Sequence, residues 1–225
     1  MTERVCMLSF WRNDMERNLA ERAEHLLSKR NVTRWLWVVG DSDDATSQAL
    51  RAYNAADVRV MRTGETDRLR CLSQTATYAV QCLEPSDDYV LIHESDLRSP
   101  VDIATRYLAH AEAGRCPIAG WPVLYIKDLG AEMFYDIWAY RQGGRKFINH
   151  APYHACYTPD APFEVDSVGS VWMFAAEDAR GMAVTERACV EMCDTLRAKG
   201  RRLWVDPTIR IEQPEELWTP TILKR

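Results

Sequence analysis

Three signatures are missing from this 225-residue chain. No GxGxxG follows the first apolar run, so nothing supports a dinucleotide-binding enzyme. No GxxxxGKS or GxxxxGKT occurs, which removes the P-loop class, and no GxSxG elbow is present for an α/β hydrolase. The seven cysteines are scattered and odd in number, with no CxxC pair, so neither a zinc knuckle nor a dithiol redox motif is expected and free thiols are. No apolar run approaches bilayer-spanning length and the first residues carry charges, so the expectation is a cytoplasmic protein with no membrane partner. A net charge of −5 argues against a broad phosphate-binding surface. Local basic clusters remain at Arg141, Arg145 and Lys146 and at Arg201, Arg202 and Arg210. There is no internal repeat and no linker, and one α/β domain covering residues 1–225 is expected, with halves at 1–97 and 98–225.

What is present is an alternation of strand and helix patterns. Apolar runs at 5–10, 35–39, 58–61 and 88–93 read as strands. Helices are predicted over 14–30, with Asn13 as cap and Glu16 three residues on, over 45–53 and over 66–83. Ser99-Pro100-Val101-Asp102 reads as a further helix start, and Gly114 as its stop. A strand at 118–124, a loop-rich stretch at 125–162, a strand over 165–175, a helix at about 185–199 and a late strand at 203–205 complete the pattern. This predicts an open, mostly parallel sheet with helices on both faces, whose ligand lies at the carboxyl ends of the strands. Residues 9–13, 40–44 and 94–96 then share one edge.

The densest chemistry lies in Asp88-Tyr89-Val90-Leu91-Ile92-His93-Glu94-Ser95-Asp96. A strand ends there in two carboxylates at i and i+2, which an extended chain places on one side. Two hard oxygen donors of this kind suit Mn²⁺ or Mg²⁺ bridging phosphates, which stabilises a departing nucleoside diphosphate. Asp41 or Asp43 is placed to accept hydrogen bonds from a nucleobase imide or a ribose hydroxyl. Arg68 and Arg70 add positive charge to the same site, although Arg68 is equally an i+3 partner for Glu65. His93, His150 and His154 lie nearer the cleft than His25 and His110.

These segments resemble the GT-A glycosyltransferase superfamily, family-2-like. The likeness rests on Ser9-Phe10-Trp11-Arg12-Asn13, on Val39-Gly40-Asp41-Ser42-Asp43-Asp44-Ala45-Thr46, and on the carboxylate motif, which is similar to that superfamily's DxD with Glu in the first acidic place. Phe163-Glu164-Val165-Asp166-Ser167-Val168-Gly169-Ser170 and Tyr135-Asp136-Ile137-Trp138-Ala139-Tyr140-Arg141 are similar to segments of the fungal mannan-polymerase type mannosyltransferases. The resemblance implies a GT-A type Rossmann-like sheet and transfer of a sugar from a UDP- or GDP-type nucleoside-diphosphate sugar to an acceptor hydroxyl. It implies a metal at Asp96 and Glu94, and a nucleotide-sugar pocket of Ser9, Phe10, Arg12, Asn13, Asp41, Asp43, Arg68, Arg70, Glu94 and Ser95. Asp166 is the implied catalytic carboxylate, with Glu164 in reserve, and Trp138, Arg141 and His154 shape the acceptor site. Where such enzymes often carry a metal-binding His, this chain has Glu212, which is either a third ligand or an exposed acid in a tail.

The acceptor implied is a glycan, a small molecule or a hydroxymethylated base in DNA, extruded for reaction. A non-catalytic sugar-nucleotide or glycan-binding module is the competing class, invited by Glu94 and Glu212 at motif positions. A nucleotidyltransferase is disfavoured by the lack of a Gly-rich loop after the first strand.

Overall fold

A computed structural model describes residues 3–15, 17–127, 130–134, 136, 138–146 and 159–214. Its centre is β1 (Val5–Trp11), hydrogen-bonded in parallel to β2 (Arg34–Gly40) on one side and β4 (Tyr89–His93) on the other. Strand β3 (Ala56–Met61) extends the parallel set beyond β2. On the other side β10 (Val171–Ala175) runs antiparallel to β4 and to β5 (Ile118–Ile126), and β11 (Leu203–Gln213) lies parallel to β5. Strand β9 (Phe163–Val165) closes the edge, and β6 (Ala131–Phe134) pairs with β5. The order β3-β2-β1-β4-β10-β5-β11-β9, with β6 off the path, makes nine strands among the described residues.

The central strands β1, β2, β4 and β10 are largely buried on both faces, which is why they read as continuous apolar runs. Cys6, Leu8, Leu36, Val38, Val90, Ile92, Trp172 and Phe174 point to one layer, under α3 (Arg68–Gln81) and α6 (Ala188–Ala198). Val5, Met7, Trp37, Val39, Leu91, Val171 and Met173 point to the other, under α1 (Leu19–Leu27) and α4 (Ile103–Glu112). Helices therefore cover both faces, as expected. Two short helices, α2 (Thr46–Leu50) and α5 (Ala176–Ala179), complete the set. Among the described residues no helix is long and apolar enough to cross a membrane.

Several boundaries differ from the sequence expectation, each for a local reason. Helix α1 starts at Leu19 because the segment before it is tied elsewhere: Asp14 accepts from Arg12 N and Arg22 Nη1, both at 2.8 Å, and donates its amide to Thr46 Oγ1. Asn13 sits at φ 49° and caps nothing, and Glu16 lies outside the described residues. Ser99 does not cap α4, since its hydroxyl bonds His93 Nε2 at 2.8 Å, but Gly114 at φ 74° ends that helix as expected. Helix α6 begins late because Glu191 holds the amides of Thr185 and Glu186 at 2.8 and 3.0 Å. The strand predicted over 165–175 divides into β9 and β10, and the segment between them crosses toward β4.

Within the 125–162 stretch expected to be loop, β6 and a hairpin of β7 (Arg141–Gln142) and β8 (Arg145–Lys146) form. The late strand runs from Leu203 to Gln213, so Glu212 belongs to the sheet and not to a tail. Cys6, Cys71, Cys82, Cys116, Cys189 and Cys193 are free thiols.

Leu8 is wholly buried in the middle of the central strand. Leu8→Ala is expected to lower unfolding stability by about 2–5 kcal/mol, read from a urea transition. A loss below about 1 kcal/mol would contradict its place in the core.

Candidate active site

The parallel register aligns the carboxyl ends of β1, β2 and β4, pairing Trp11 with Val39 and Leu8 with Ile92. The three polar segments expected on one edge are on it. The first two are cross-linked by backbone amides bonded to side chains: Asn13 N donates to Ser42 Oγ at 3.0 Å and Asp43 N to Asn13 Oδ1 at 2.8 Å. Asp41, in the left-handed region at φ 37°, turns its carboxylate onto the loop after β3. It accepts from Thr63 N at 2.8 Å, from Thr63 Oγ1 and from Gly64 N. Burial works to raise its carboxyl, but these bonds outweigh it and hold Asp41 below the ordinary carboxylate value.

The Glu94–Asp96 segment leaves β4 over a buried guanidinium. Arg22, on α1, donates through Nε to Ser95 O at 2.8 Å and through Nη2 to Ser95 Oγ at 2.6 Å. Its Nη1 pairs with Asp14 at 2.8 Å, and the Trp11 ring lies 5.0 Å below it. Glu94 and Asp96 are half-buried. Burial, then the charges of Asp96 and Asp136, push the Glu94 carboxyl well above the ordinary range, with Arg68 opposing. Asp96 is raised by burial as well, opposed by Arg22 and Arg17. Burial of the two acids outweighs the positive charges of Arg68, Arg22 and Arg17, so both carboxyls stay raised.

Beneath the motif, His93 is fully buried and bonds the Glu94 carbonyl through Nδ1 at 2.8 Å. Burial lowers it to about 3, so it is neutral. The neighbouring Lys29, hydrogen-bonded to His25 and to the Ser99 carbonyl at 2.7 Å each, is lowered by burial to about 7.

The expected site residues divide into three groups. Glu94, Ser95, Asp96 and Arg68 gather at the motif, and Arg12 is exposed within electrostatic reach of Cys71, beside Asp41. Asn13 and Asp43 are exposed on the cross-linked loops. Others face inward or elsewhere. Ser9 is fully buried and donates to His93 O at 2.6 Å, tying β1 to β4, while Phe10 packs on the core. Arg70 pairs with Glu186 at 3.4 Å, and Glu164, on the edge strand, with Arg202 at 2.8 Å.

The third group lies toward the β7–β8 hairpin. Asp166 accepts from Gly144 N at 2.6 Å and faces Arg197 at 3.5 Å, in a cleft shared with Arg141. Trp138 is 60% exposed, with Lys146 Nζ 4.4 Å above its ring. His154 and His150 fall outside the described residues. Glu212 is exposed, and its backbone exchanges two 2.8 Å hydrogen bonds with Arg98, two residues past Asp96. Among the described residues no three His, Cys, Asp or Glu side chains converge on one cation position, so Glu94, Asp96 and Glu212 do not close a three-ligand centre.

Two residues in this neighbourhood were not anticipated. Arg22 looks like an ordinary surface arginine in a helix pattern, and only its long-range partners make it internal. Asp136 is buried, accepting from Ser170 Oγ at 2.7 Å and Ala139 N at 3.0 Å, and its charge reaches Glu94. Gly169 permits this contact, since a Cβ there would lie 2.6 Å from Asp136 Oδ2.

No family model matches the chain, and no curated protein matches it in sequence. Among solved structures it is similar to GalNAc-T7 with UDP, GalNAc and Mn²⁺, at 12% identity and a TM-score of 0.61, over 97% of this chain and 44% of that one. It is similar to S. aureus TarS 1–349 in complex with UDP, at 12% identity and 0.61, over 94% of this chain and 60% of that one. A longer S. aureus TarS structure is 14% identical, with a TM-score of 0.57, and 36% of it is covered. The chain thus spans from about a third to three fifths of the length of these structures. The fold is the expected GT-A type.

The raised Glu94 carboxyl has a consequence for stability. The folded state retains its proton to higher pH than the unfolded chain, so stability falls as pH climbs from the ordinary carboxylate range through the folded value. Glu94→Gln removes this loss. Its melting temperature at pH 7 is expected to exceed that of the parent by roughly 2–4 °C, the shift of about 1 kcal/mol at this chain length. The gap should close in acid; a gap that is absent at pH 7, or constant with pH, would contradict the arrangement.

Proposed function

We propose that this chain is a glycosyltransferase that moves a sugar from a nucleoside-diphosphate sugar, of the UDP or GDP type, to an acceptor hydroxyl. The observation that carries the reading is the half-buried Glu94–Asp96 pair at the end of β4, beside the loops of β1 and β2. Similarity in fold to structures solved with UDP, and in one case with Mn²⁺, supports it. On this reading residues 1–97 bind the nucleotide and residues 98–225 supply most of the acceptor side.

The donor set fits a hard divalent cation. Mg²⁺ is commonly held by one or two carboxylates together with substrate phosphates, so two protein ligands suffice. Asp96 and Glu94 would hold Mn²⁺ or Mg²⁺. When bound, the cation neutralises charge developing on the diphosphate. Arg68 contributes positive charge at the same place from the protein itself. The nucleoside lies against the 12–13 and 41–43 loops, with Asp41 fixing the 63–64 loop as one wall of its pocket.

In the reaction, the bond between the anomeric carbon and the diphosphate oxygen breaks, and its electron pair stays on the diphosphate. The acceptor oxygen bonds to the anomeric carbon, and its proton passes to a carboxylate. Asp166, on the segment joining the motif to the hairpin cleft, is assigned that role. Glu164 is a poorer candidate because Arg202 engages it at the sheet edge. Trp138 offers an exposed ring against which an acceptor packs.

Two measurements test the reading. UDP or GDP with Mn²⁺ or Mg²⁺ should stabilise the chain, by about 2.7 kcal/mol at a hundredfold excess over Kd. Asp96→Ala should abolish the metal-dependent part and lower donor hydrolysis or transfer by about 10²–10³. Failure of every nucleoside diphosphate to stabilise the protein with either metal would overturn the proposal.

A further inference from the structure

The cleft beside the β7–β8 hairpin carries an unbalanced charge. It has a volume of about 450 Å³ and is lined by Arg141, Arg187, Arg197, Asp166, Asp194 and the Gly143–Gly144 turn, among others. Both glycines are left-handed, at φ 60° and 71°, as the two-residue turn of a tight hairpin requires. The turn thereby presents Gly144 N to Asp166.

Three guanidinium groups face two carboxylates in this cleft. Arg187 pairs with Asp194 at 2.8 Å, and Arg197 lies between Asp166 at 3.5 Å and Asp194 at 3.8 Å. Arg141 has no ion pair among the described residues, and its Nε is buried without a hydrogen-bond partner. A buried donor left unmade costs stability, and a charged one more so. A ligand that completes such a group offsets that cost.

The ligand chemistry follows from the donor. A guanidinium edge matches the paired oxygens of a carboxylate or phosphate. A single unmatched cation suits one oxyanion, whereas a polyanion groove would need a row of free charges, and the chain as a whole carries −5. Position links this cleft to the motif. Arg141 N bonds Ser167 O at 3.2 Å, and Ser170 O bonds Glu94 N at 3.2 Å. Three residues of chain separate those two anchor points, which therefore lie no more than roughly 10 Å apart. That is a distance a sugar-sized acceptor spans.

We propose that Arg141 is the core of an oxyanion subsite. Resting on the glycosyltransferase reading, the acceptor then carries a phosphate or carboxylate group beside the hydroxyl that receives the sugar.

The test uses the full chain and its Arg141→Met and Arg141→Lys variants, with Arg106→Gln on the surface of α4 as a charge-matched control. Inorganic phosphate and acetate are titrated calorimetrically, with and without UDP, which is also tested separately by thermal shift. Phosphate or acetate affinity is expected to fall about tenfold in Arg141→Met and to change less than about twofold in the control. Tighter binding of phosphate than acetate identifies a phosphorylated acceptor, and the reverse identifies a carboxylated one. Because Arg141 has no ion pair among the described residues, Arg141→Met should melt no lower than the parent, and Arg141→Lys, which keeps the charge, should retain part of the affinity.

Equal binding by the parent and Arg141→Met overturns the proposal, as does complete displacement of the anion by UDP, which would place it in the donor site. Binding of duplex DNA that is lost in Arg141→Met and falls steeply with salt would replace the single oxyanion with a polyanion surface. If UDP gives no thermal shift while Arg141-dependent anion binding persists, the glycosyltransferase reading falls and the oxyanion subsite stands.

Discussion

The candidate site rests on one buried guanidinium. Arg22 is 6% exposed and joins four parts of the molecule: helix α1, which carries it; Asp14 in the loop after β1; the Trp11 ring; and Ser95 in the acid motif. Its partners satisfy the guanidinium on three sides, which is the condition under which a buried charge is tolerated. Removing one side of such a pair costs about 3–5 kcal/mol. The same contact fixes the direction in which the chain leaves β4, and hence where Glu94 and Asp96 stand.

Around that clamp the sheet supplies alignment and the loops supply charge. Parallel pairing of β1 with both β2 and β4 brings three strand ends to one edge, and the Ser9 hydroxyl bonded to His93 O reinforces the register there. The acid pair itself opposes folding when ionised, because burial and mutual repulsion both penalise the charge. Arg141 in the hairpin cleft is the mirror case, a cation with no ion pair among the described residues and a buried Nε that bonds nothing. Both are places where local stability is sacrificed, and on the proposed function each has a ligand of opposite charge.

Much of the fold was legible because strand and helix periods are local properties. The alternation of Val5, Cys6, Met7 and Leu8 between two apolar layers follows from the pleat alone. Gly114 stopped its helix as its backbone freedom suggests. What was not legible depends on distant partners. Arg22 meets Ser95 across 73 residues, and Asp136 meets Ser170 across 34. Glu212 joins Arg98 through a strand that sequence patterning ended at 205. Ser9 looked like a pocket residue because the pattern gives its strand position without saying that β4 would lie against it. The acid motif itself was found by spacing, whereas its burial, which gives it electrostatic force, comes from the tertiary structure.

On the proposed function, Asp96 stands beside a cation that also contacts a nucleoside diphosphate. A crystal structure of the chain grown with UDP and Mn²⁺, with diffraction collected at the manganese absorption edge, decides this directly. An anomalous peak is expected within about 2.0–2.6 Å of an Asp96 carboxylate oxygen and of the diphosphate, at hard-cation distances, with the uridine against the 12–13 and 41–43 loops. Manganese bound elsewhere, or UDP bound away from the Glu94–Asp96 edge, would contradict it.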